Sequence, residues 1–313
     1  MAAAMLRVLT LSTLFPQAAQ PTLGVFVERQ TLGLAALDDV ALEIVSPIGL
    51  PAWPLSLHPH YAARARLPRR EVWKGITVHR PRFRTMPGIG DARTAGAMAK
   101  ALLPQLRALR ESFPFDVIDA EFFWPDGPAA LHLSRALGIP FSVKARGADI
   151  HYWGARSGIG EQIIEAGRAA DGLLAVSTAL RNDMVALGMP ADRIRVHRTG
   201  VDLDRFQPID RAAAKARLGV EGPLLVTPGA LIPRKGQKLV LEALEHLEGA
   251  TLLVVGEGPD RKALEAIARS RSLSGRVRFL GNRPHEELPA LLAAADVMAL
   301  SSASEGLANV WVE

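Results

Sequence analysis

Two carboxylates, Glu305 and Glu313, lie eight positions apart on a segment that predicts a loop followed by the first turns of a helix. The residues before them, 296–302, predict a buried parallel strand that runs into a loop of small residues. A strand that ends in a glycine-containing loop and opens a helix presents backbone N–H groups and the positive end of a helix dipole, which suits a phosphate. The carboxylates can then bind hydroxyl groups on either side of that phosphate.

Two further glycine loops lie where open α/β sheets bind ligands, beyond the carboxyl ends of strands. One begins at Gly229 and places Arg234 and Lys235 at the start of a predicted helix; the other contains Gly24 and precedes the first helix of the chain. A lysine neutralises a diphosphate as a compact charge, and an arginine can bind it through two parallel hydrogen bonds. Each loop alone is a weak signal, because a solvated turn with glycine and a basic residue is common. A third loop, at Gly256, is most simply a strand–helix connector.

Polar residues also follow two strands in the first half of the chain. Arg146 and Asp149 come after a predicted strand, with His151 next, and Glu121 ends the strand before it. We expect Arg146 to contact a phosphate or a sugar, and the segment at Glu121 to form a wall for a second substrate. The eight histidines have no ligand spacing, and no Ser/His/Asp arrangement emerges, so no metal site is predicted.

Composition sets the class of protein. The chain has 313 residues, of which 49% are hydrophobic, with no cysteine, a net charge of +5 and a pI near 9.9. Two domains with full cores are expected, without disulfides or thiolate metal sites. The basic surface favours anionic partners, but no stripe of basic and aromatic residues indicates nucleic acid. No apolar run approaches the ~20 residues that span a bilayer, and the first residues predict a strand in place of a signal peptide.

Strands and helices alternate through most of the chain, which predicts parallel α/β sheets in two domains, 1–200 and 201–313. The segment 51–72, with four prolines, is expected to be irregular, and 199–208 to be a linker. The rear domain shows four strands where a doubly wound domain has about six, so we expect a truncated chain. The strands are predicted at 6–11, 41–46, 76–80, 116–120, 140–144, 172–176, 194–197, 224–228, 251–255, 277–280 and 296–300. The helices are predicted at 25–37, 93–110, 126–137, 160–169, 178–187, 237–247, 260–270 and 285–294.

Six features in chain order resemble the retaining family-four glycosyltransferases of GT-B fold, in which two Rossmann-like doubly wound domains face each other across a cleft. The front section, including Gly-Val-Phe-Val-Glu-Arg-Gln30, is similar to members that assemble cell-surface polysaccharides. The resemblance spans nearly the whole chain, with the second domain incomplete. The six features are the loop at Gly24, Arg-Gly-Ala-Asp149, Thr-Gly-Val-Asp202, Arg-Lys-Gly236, Gly-Glu-Gly258 and Asp296…Ser-Glu-Gly306…Glu313.

The resemblance implies a transferase that moves a sugar from a nucleotide-diphosphate-sugar to a saccharide or lipid-linked acceptor, with retention and without a metal or a resident cofactor. It implies Glu305, Lys235 and Arg146 as catalytic groups. It places the donor on the rear domain and the acceptor, with Glu121, Asp149 and His151, on the front domain. Glu313 would bind the ribose. The full set of donor-binding residues implied is Gly24, Gly229, Arg234, Lys235, Gly256, Gly306, Leu307, Ala308, Asn309 and Glu313.

The sequence departs from the family pattern at two positions. Ala230 stands where the family usually has an arginine, for which Arg234 is the candidate substitute, and Arg146 stands where many members have histidine. Other classes stay open at this stage: a GT-B sugar-nucleotide epimerase, or a truncated non-catalytic nucleotide-binding fragment. We expect a cytoplasmic protein that contacts the inner face of an anionic membrane through the basic segment 64–74, although a solvated loop would have the same composition.

Overall fold

The computed structural model describes residues 5–18, 20–86 and 91–313, which form two compact units, Met1–Thr199 and Gly200–Glu313. We call them the front unit and the rear unit. The alternation of strand and helix predicted from the sequence is present in each of them. Among the described residues, no helix is both long and apolar enough to cross a membrane.

The described residues of the front unit form one eight-stranded sheet and one two-stranded sheet. The strands of the large sheet lie in the order β10-β9-β8-β7-β1-β2-β5-β4, and β3 pairs with β6. Neighbours in the large sheet run parallel except β4 and β5. In chain order the elements are β1 (Leu6–Leu11), α1 (Val25–Ala35), β2 (Val40–Val45), β3 (Ile48–Pro51), α2 (Pro59–Ala65), β4 (Arg70–Trp73), β5 (Ile76–His79), β6 (Arg82–Thr85), α3 (Thr94–Ser112), β7 (Val117–Ala120), α4 (Asp126–Leu137), β8 (Phe141–Ala145), α5 (Gly160–Ala169), β9 (Gly172–Ala175), α6 (Thr178–Ala186) and β10 (Ile194–Val196).

The expectation of an irregular segment at 51–72 was wrong. A short 3-10 helix, α2 and strand β4 lie in it, and β4 pairs antiparallel with β5 at the sheet edge. The turn between these strands is Lys74-Gly75, and both residues have positive φ, 49° and 88°. Two positive φ values in a two-residue turn match the right-handed twist of a hairpin, which brings β4 back onto β5.

The rear unit has one parallel sheet of four strands in the order β13-β12-β11-β14. Two separate apolar clusters cover its faces. Leu225, Leu252 and Val254 pack with α8 and α9, whereas the alternate residues Leu224 and Val226 pack with α7 and α10. Residues on a strand alternate between faces, so this sheet carries helices on both sides and is doubly wound, as predicted. The elements are α7 (Arg211–Arg217), β11 (Leu224–Pro228), α8 (Gln237–Leu244), β12 (Thr251–Val255), α9 (Arg261–Ser270), β13 (Val277–Gly281), α10 (Leu288–Ala294), β14 (Val297–Met298) and α11 (Asn309–Val312).

Three elements of the rear unit differ from the prediction. Helix α7, which Asp210 caps by accepting hydrogen bonds from two backbone N–H groups, was not predicted. The helix predicted at 285–294 begins as a 3-10 turn, His285–Glu287, before α10. The strand predicted at 296–300 pairs with β11 over only two residues, because the chain then leaves the sheet for the loop that reaches Glu305.

Candidate functional site

Three loops meet beyond the carboxyl ends of β14, β11 and β12, which are neighbours in the rear sheet. The loop 229–236 is joined to the loop at 256–260 by backbone hydrogen bonds, including Leu231 N–H to Glu257 O at 2.9 Å. It is joined to the loop 301–309 by Ala303 N–H donating to Arg234 O at 2.9 Å. This is the edge at which open α/β sheets bind ligands. We call it the rear loop cluster.

Glycines allow these loops to approach one another. At Gly256, where φ is +137°, an added Cβ would lie 2.0 Å from the carbonyl oxygen of Gly229. At Gly236, where φ is +68°, it would lie 2.3 Å from the carbonyl oxygen of Ser301. Both positions combine a backbone conformation that favours glycine with a close backbone approach. Gly256 is therefore required to build the cluster, whether or not it also binds a ligand.

Lys235 and Glu305 form an ion pair within the rear loop cluster. The Lys235 side chain runs past Gly229, and both partners are largely buried, with 17% and 12% of their side-chain surface exposed. The Arg234 guanidinium donates to Ser304 O at 2.5 Å and lies 3.8 Å from Glu305 Oε2. Two cationic groups thus surround one carboxylate, which leaves the trio with an excess of one positive charge.

The predicted backbone site at Gly306, Leu307, Ala308 and Asn309 lies on the same loop. Ala308 is extended and almost buried, and α11 begins at Asn309, four residues after Glu305. Trp311 N–H donates to Ala308 O at 2.9 Å, whereas the N–H groups that precede it at the start of the helix have no intrahelical acceptor. They are donors on the loop that carries Glu305. With only four residues, α11 contributes through these donors more than through its dipole.

Glu313 is held by a histidine that was not predicted. His285 Nε2 lies 2.9 Å from Glu313 Oε1, and the Glu313 side chain is only 5% exposed. Arg205 Nη1 lies 2.8 Å from His285 Nδ1. Because a guanidinium can only donate, Nδ1 accepts, and a neutral imidazole then donates Nε2–H to the carboxylate. The sequence signal was weak, since His285 lies 28 residues from its partner with no motif between them.

The front unit brings together Glu121, Arg146 and Asp149. Arg146 forms an ion pair with Glu121, donates Nη2–H to Gln30 Oε1 at 2.8 Å and lies 4.8 Å from the centre of the Phe26 ring. With 6% of its side chain exposed, the guanidinium is bound inside the front unit. Contact between Arg146 and a substrate stays a prediction, and so does the role of Glu121.

Asp149 lies fully buried at the start of a π-helical turn, Asp149–Trp153. Its carboxylate accepts from the N–H groups of Phe123, Arg146 and Gly147 at 2.7 to 3.1 Å, and burial raises its pKa. In this conformation Asp149 holds the loop after β8 against the one after β7. His151, on the same turn, lies 2.9 Å from Asp183 and 32% of its side chain is exposed.

A buried polar network continues from Arg146. Lys144 Nζ and Gln30 Nε2 both lie within 2.7 Å of His197 Nδ1, so that nitrogen accepts and the imidazole is neutral. Burial lowers the pKa of His197 and lowers that of Lys144 to about 8. Burial also raises the pKa of Asp119 to about 6, with repulsion from Glu121 adding to it. Sequence reasoning missed His197 and Lys144, because burial of charge leaves no periodic signal.

Gly24 occupies the predicted position at the start of α1. Its φ is +64°, and an added Cβ would lie 2.2 Å from the carbonyl oxygen of Leu14. The glycine therefore allows the chain to turn into α1 directly over the loop that follows β1. The glycine is therefore required within the front unit itself, and its approach to the donor diphosphate stays a prediction.

No cluster of acidic and histidine side chains suited to a metal ion occurs in residues 5–18, 20–86 and 91–313.

Comparison with known protein families assigns most of the chain. Residues 54–205 match the family model for Glycosyltransferase Family 4, and residues 209–313 match the model for Glycosyl transferases group 1. The chain is 29% identical to a Bacillus subtilis protein assigned as a glycosyltransferase of teichuronic acid biosynthesis. The match covers 98% of this chain and 78% of that protein. A GDP-mannose-dependent mannosyltransferase acting on phosphatidylinositol monomannoside in Mycobacterium tuberculosis is 35% identical, over 45% of this chain and 38% of that protein.

Solved structures agree on the fold. The sucrose-phosphate synthase of Thermosynechococcus elongatus has a TM-score of 0.74 at 18% identity, covering 97% of this chain and 77% of the other. HepE of Anabaena, in complex with UDP, has a TM-score of 0.64 at 19% identity, covering 95% and 74%. These likenesses and the parallel α/β sheets of the two units confirm the predicted GT-B class.

Proposed function

The chain is a glycosyltransferase that carries a family 4 domain and a group 1 domain, and we propose that its rear loop cluster binds the diphosphate of a nucleotide-sugar donor. The observation that carries the proposal is the convergence of Lys235, Arg234 and the loop 305–309 at one sheet edge. A diphosphate brings negative charge, and the trio of Arg234, Lys235 and Glu305 has an excess of one positive charge to receive it. HepE, a structural neighbour, was solved with UDP and with UDP-glucose.

In this proposal each residue has a separate role. Lys235 and Arg234 neutralise the leaving diphosphate together with the N–H groups near Ala308 and Asn309. Glu305 lies beside the sugar that is transferred and orients it, and Glu313, held by His285, binds the ribose hydroxyls. Arg234 supplies the positive charge that the family usually has at position 230, where this chain has alanine. It can do so because its guanidinium reaches Ser304 on the loop 301–309.

We propose retention of configuration at the transferred carbon. In the proposed step, the acceptor hydroxyl attacks on the side from which the diphosphate departs, through an oxocarbenium-like transition state. The bond from the sugar to the diphosphate oxygen breaks, the bond to the acceptor oxygen forms, and the departing phosphate takes the acceptor proton. Preorganised cations and N–H groups stabilise the charge that develops on the diphosphate, and a bound metal ion is not required for this step.

The acceptor, a saccharide or a lipid-linked saccharide, binds the front unit. The relative assigned to teichuronic acid biosynthesis supports a role in cell-surface polysaccharide synthesis. Catalysis then takes place on the cytoplasmic side, at the inner face of the membrane. Glu121, Asp149 and His151 belong to this acceptor region, with Asp149 holding its loops and His151 presenting a partly exposed ring.

Nucleotide binding tests the proposed function directly. We expect UDP or GDP to bind in the presence of EDTA, with little affinity for DNA, in isothermal titration calorimetry. A panel of nucleotide-sugars incubated with acceptor oligosaccharides should then give one transfer product, whose anomeric configuration NMR establishes. Inverted product would contradict retention, and absence of nucleotide binding would contradict the donor site itself.

We also propose that the segment 51–74 of the front unit rests on anionic lipid. Trp53, Leu55 and Leu57 expose 76%, 58% and 68% of their surface. Exposed apolar side chains in a basic segment are typical of interfacial anchoring. The exposed arginines that follow them in the chain are Arg66, Arg69 and Arg70.

Removal of the three arginines should weaken membrane binding by roughly a hundredfold, at about 1 kcal/mol for each charge near the surface. We expect R66Q/R69Q/R70Q to lose co-sedimentation with phosphatidylglycerol vesicles, and K238Q/K262Q/R269Q, exposed charges of the rear unit, to keep it. Binding of the native protein that ignores both anionic lipid and salt would contradict membrane contact.

A further inference from the structure

A cavity of about 420 Å³ opens in the front unit beyond the carboxyl ends of β1, β2, β6 and β7. We call it the front cavity. Its lining includes Tyr61, Phe122, Trp124 and Trp153, and the two indole rings lie 6.4 Å apart. Its volume is in the range of small-molecule sites, which combine aromatic walls with a few placed polar groups. Phe122 and Trp124 belong to the segment at Glu121 that the sequence predicted as a wall for a second substrate, whereas Glu121, Asp149 and His151 are not among the described residues that line the cavity.

Charge in the front cavity is unbalanced. Of the described residues that line it, the charged ones are Arg64, from α2, and Asp91. Asp91 is paired with Arg156 at 3.2 Å, so its charge is already compensated. The buried Nε–H of Arg64 donates to no atom of the described residues, and burial lowers the pKa of this guanidinium. Arg64 has no carboxylate partner in residues 5–18, 20–86 and 91–313. A partly buried cation in that state is costly, and an anionic ligand would offset the cost.

We propose that the front cavity selects an acceptor whose terminal sugar carries an anionic group, a carboxylate or a phosphate, next to Arg64. The C–H face of the sugar ring packs on the aromatic wall that Trp124 and Trp153 provide, and the guanidinium binds the anion. This inference rests on the proposed function, because it names the acceptor class of the same enzyme. Aromatic rings supply apolar contact for any pyranose, so Arg64 alone provides the discrimination.

The obvious competitor is a lipid phosphate without a sugar. The composition of the wall favours the saccharide, since the indoles that line the cavity are closely packed, with Trp124 only 4% exposed, and form a fixed platform. Acyl chains would instead contact the exposed Trp53 and Leu57, which do not line the front cavity. An anionic lipid headgroup that occupies the cavity therefore counts against the proposal.

The test measures binding to the whole chain without donor. Methyl glucuronide, glucose 6-phosphate and methyl glucoside are titrated against the native protein, R64Q and R66Q by saturation-transfer NMR and tryptophan fluorescence. We expect at least one anionic sugar to bind about tenfold more tightly than the neutral one, as for a charge-assisted hydrogen bond. The two anionic probes distinguish a uronate from a sugar phosphate. R64Q should abolish the preference, and R66Q, which replaces an exposed arginine two residues further along the chain, should keep it.

Three results would overturn the proposal. The first is equal binding of neutral and anionic sugars by the native protein, and the second is an unchanged preference for anionic sugars in R64Q. The third is that phosphatidylglycerol vesicles displace the sugars from the native protein but not from R64Q. A W153F variant provides a second measurement. It should lower the affinity for all three sugars by a similar factor without changing the order of their affinities. UDP and GDP binding, measured on the same samples, reports on the rear unit. Loss of nucleotide binding with an intact anionic preference would therefore reject the donor site and not the front cavity.

Discussion

Replacement of Lys235 by alanine should lower the rate of sugar transfer by about 10²–10³-fold, the usual effect of removing one preorganised donor from a developing negative charge. In the proposed step the charge grows on the departing diphosphate, and the ammonium group of Lys235 is the most compact cation beside it. The loss should fall on kcat as much as on kcat/KM, because the contact strengthens as the bond breaks. Steady-state transfer kinetics with the native and K235A proteins measure both constants.

The fold should survive this substitution. Arg234 stays 3.8 Å from Glu305 Oε2, so the carboxylate keeps a cationic neighbour when Lys235 is removed. Lys238 provides the matched control, since it lies three residues further on and its side chain is 64% exposed in a loose pair with Glu242. K238A should transfer at the native rate. If K235A transfers sugar within a factor of about three of the native rate, with an unchanged circular dichroism spectrum, Lys235 does not stabilise the departing diphosphate.

The sequence predicted the parts of the molecule that depend on local pattern. Parallel α/β alternation and the loops at the carboxyl ends of strands follow from apolar runs separated by glycine loops. The shared location of Lys235 and Glu305 was implied by the family resemblance. The ion pair between these two residues bridges 70 positions of sequence. It was predictable because β11 and β14, the strands before their loops, are neighbours in the doubly wound order.

What the sequence could not predict depends on tertiary partners. His285 looked like one of several scattered histidines until the fold placed it between Arg205 and Glu313. Arg146 looked like a free cation at the end of a strand, but the fold pairs it with Glu121 from the neighbouring strand. The sequence around a charged side chain does not show whether that charge will pair with another residue or bind a substrate. The edge strand β4 was missed for a related reason, since the prolines of 51–72 hid the hairpin turn that returns it to the sheet.

Replacement of Gly256 by alanine should destabilise the rear unit by more than about 3 kcal/mol. Two costs add: an alanine at φ +137° is strained by about 1–3 kcal/mol, and its Cβ would lie 2.0 Å from Gly229 O, which forces the backbone to move. The carbonyl it displaces belongs to the loop that carries Lys235. Donor affinity should therefore fall together with stability, and chemical denaturation followed by nucleotide titration measures both.

Two other glycines of the same unit separate the two costs. Gly249 has φ +68° with no atom within 4 Å of an added Cβ, so G249A should show the conformational cost alone, about 1–2 kcal/mol. Gly275 is unstrained and equally open, so G275A should be neutral or slightly stabilising. If G256A unfolds at the same denaturant concentration as G249A, the contact with Gly229 contributes nothing. The glycine would then be required for its backbone conformation alone.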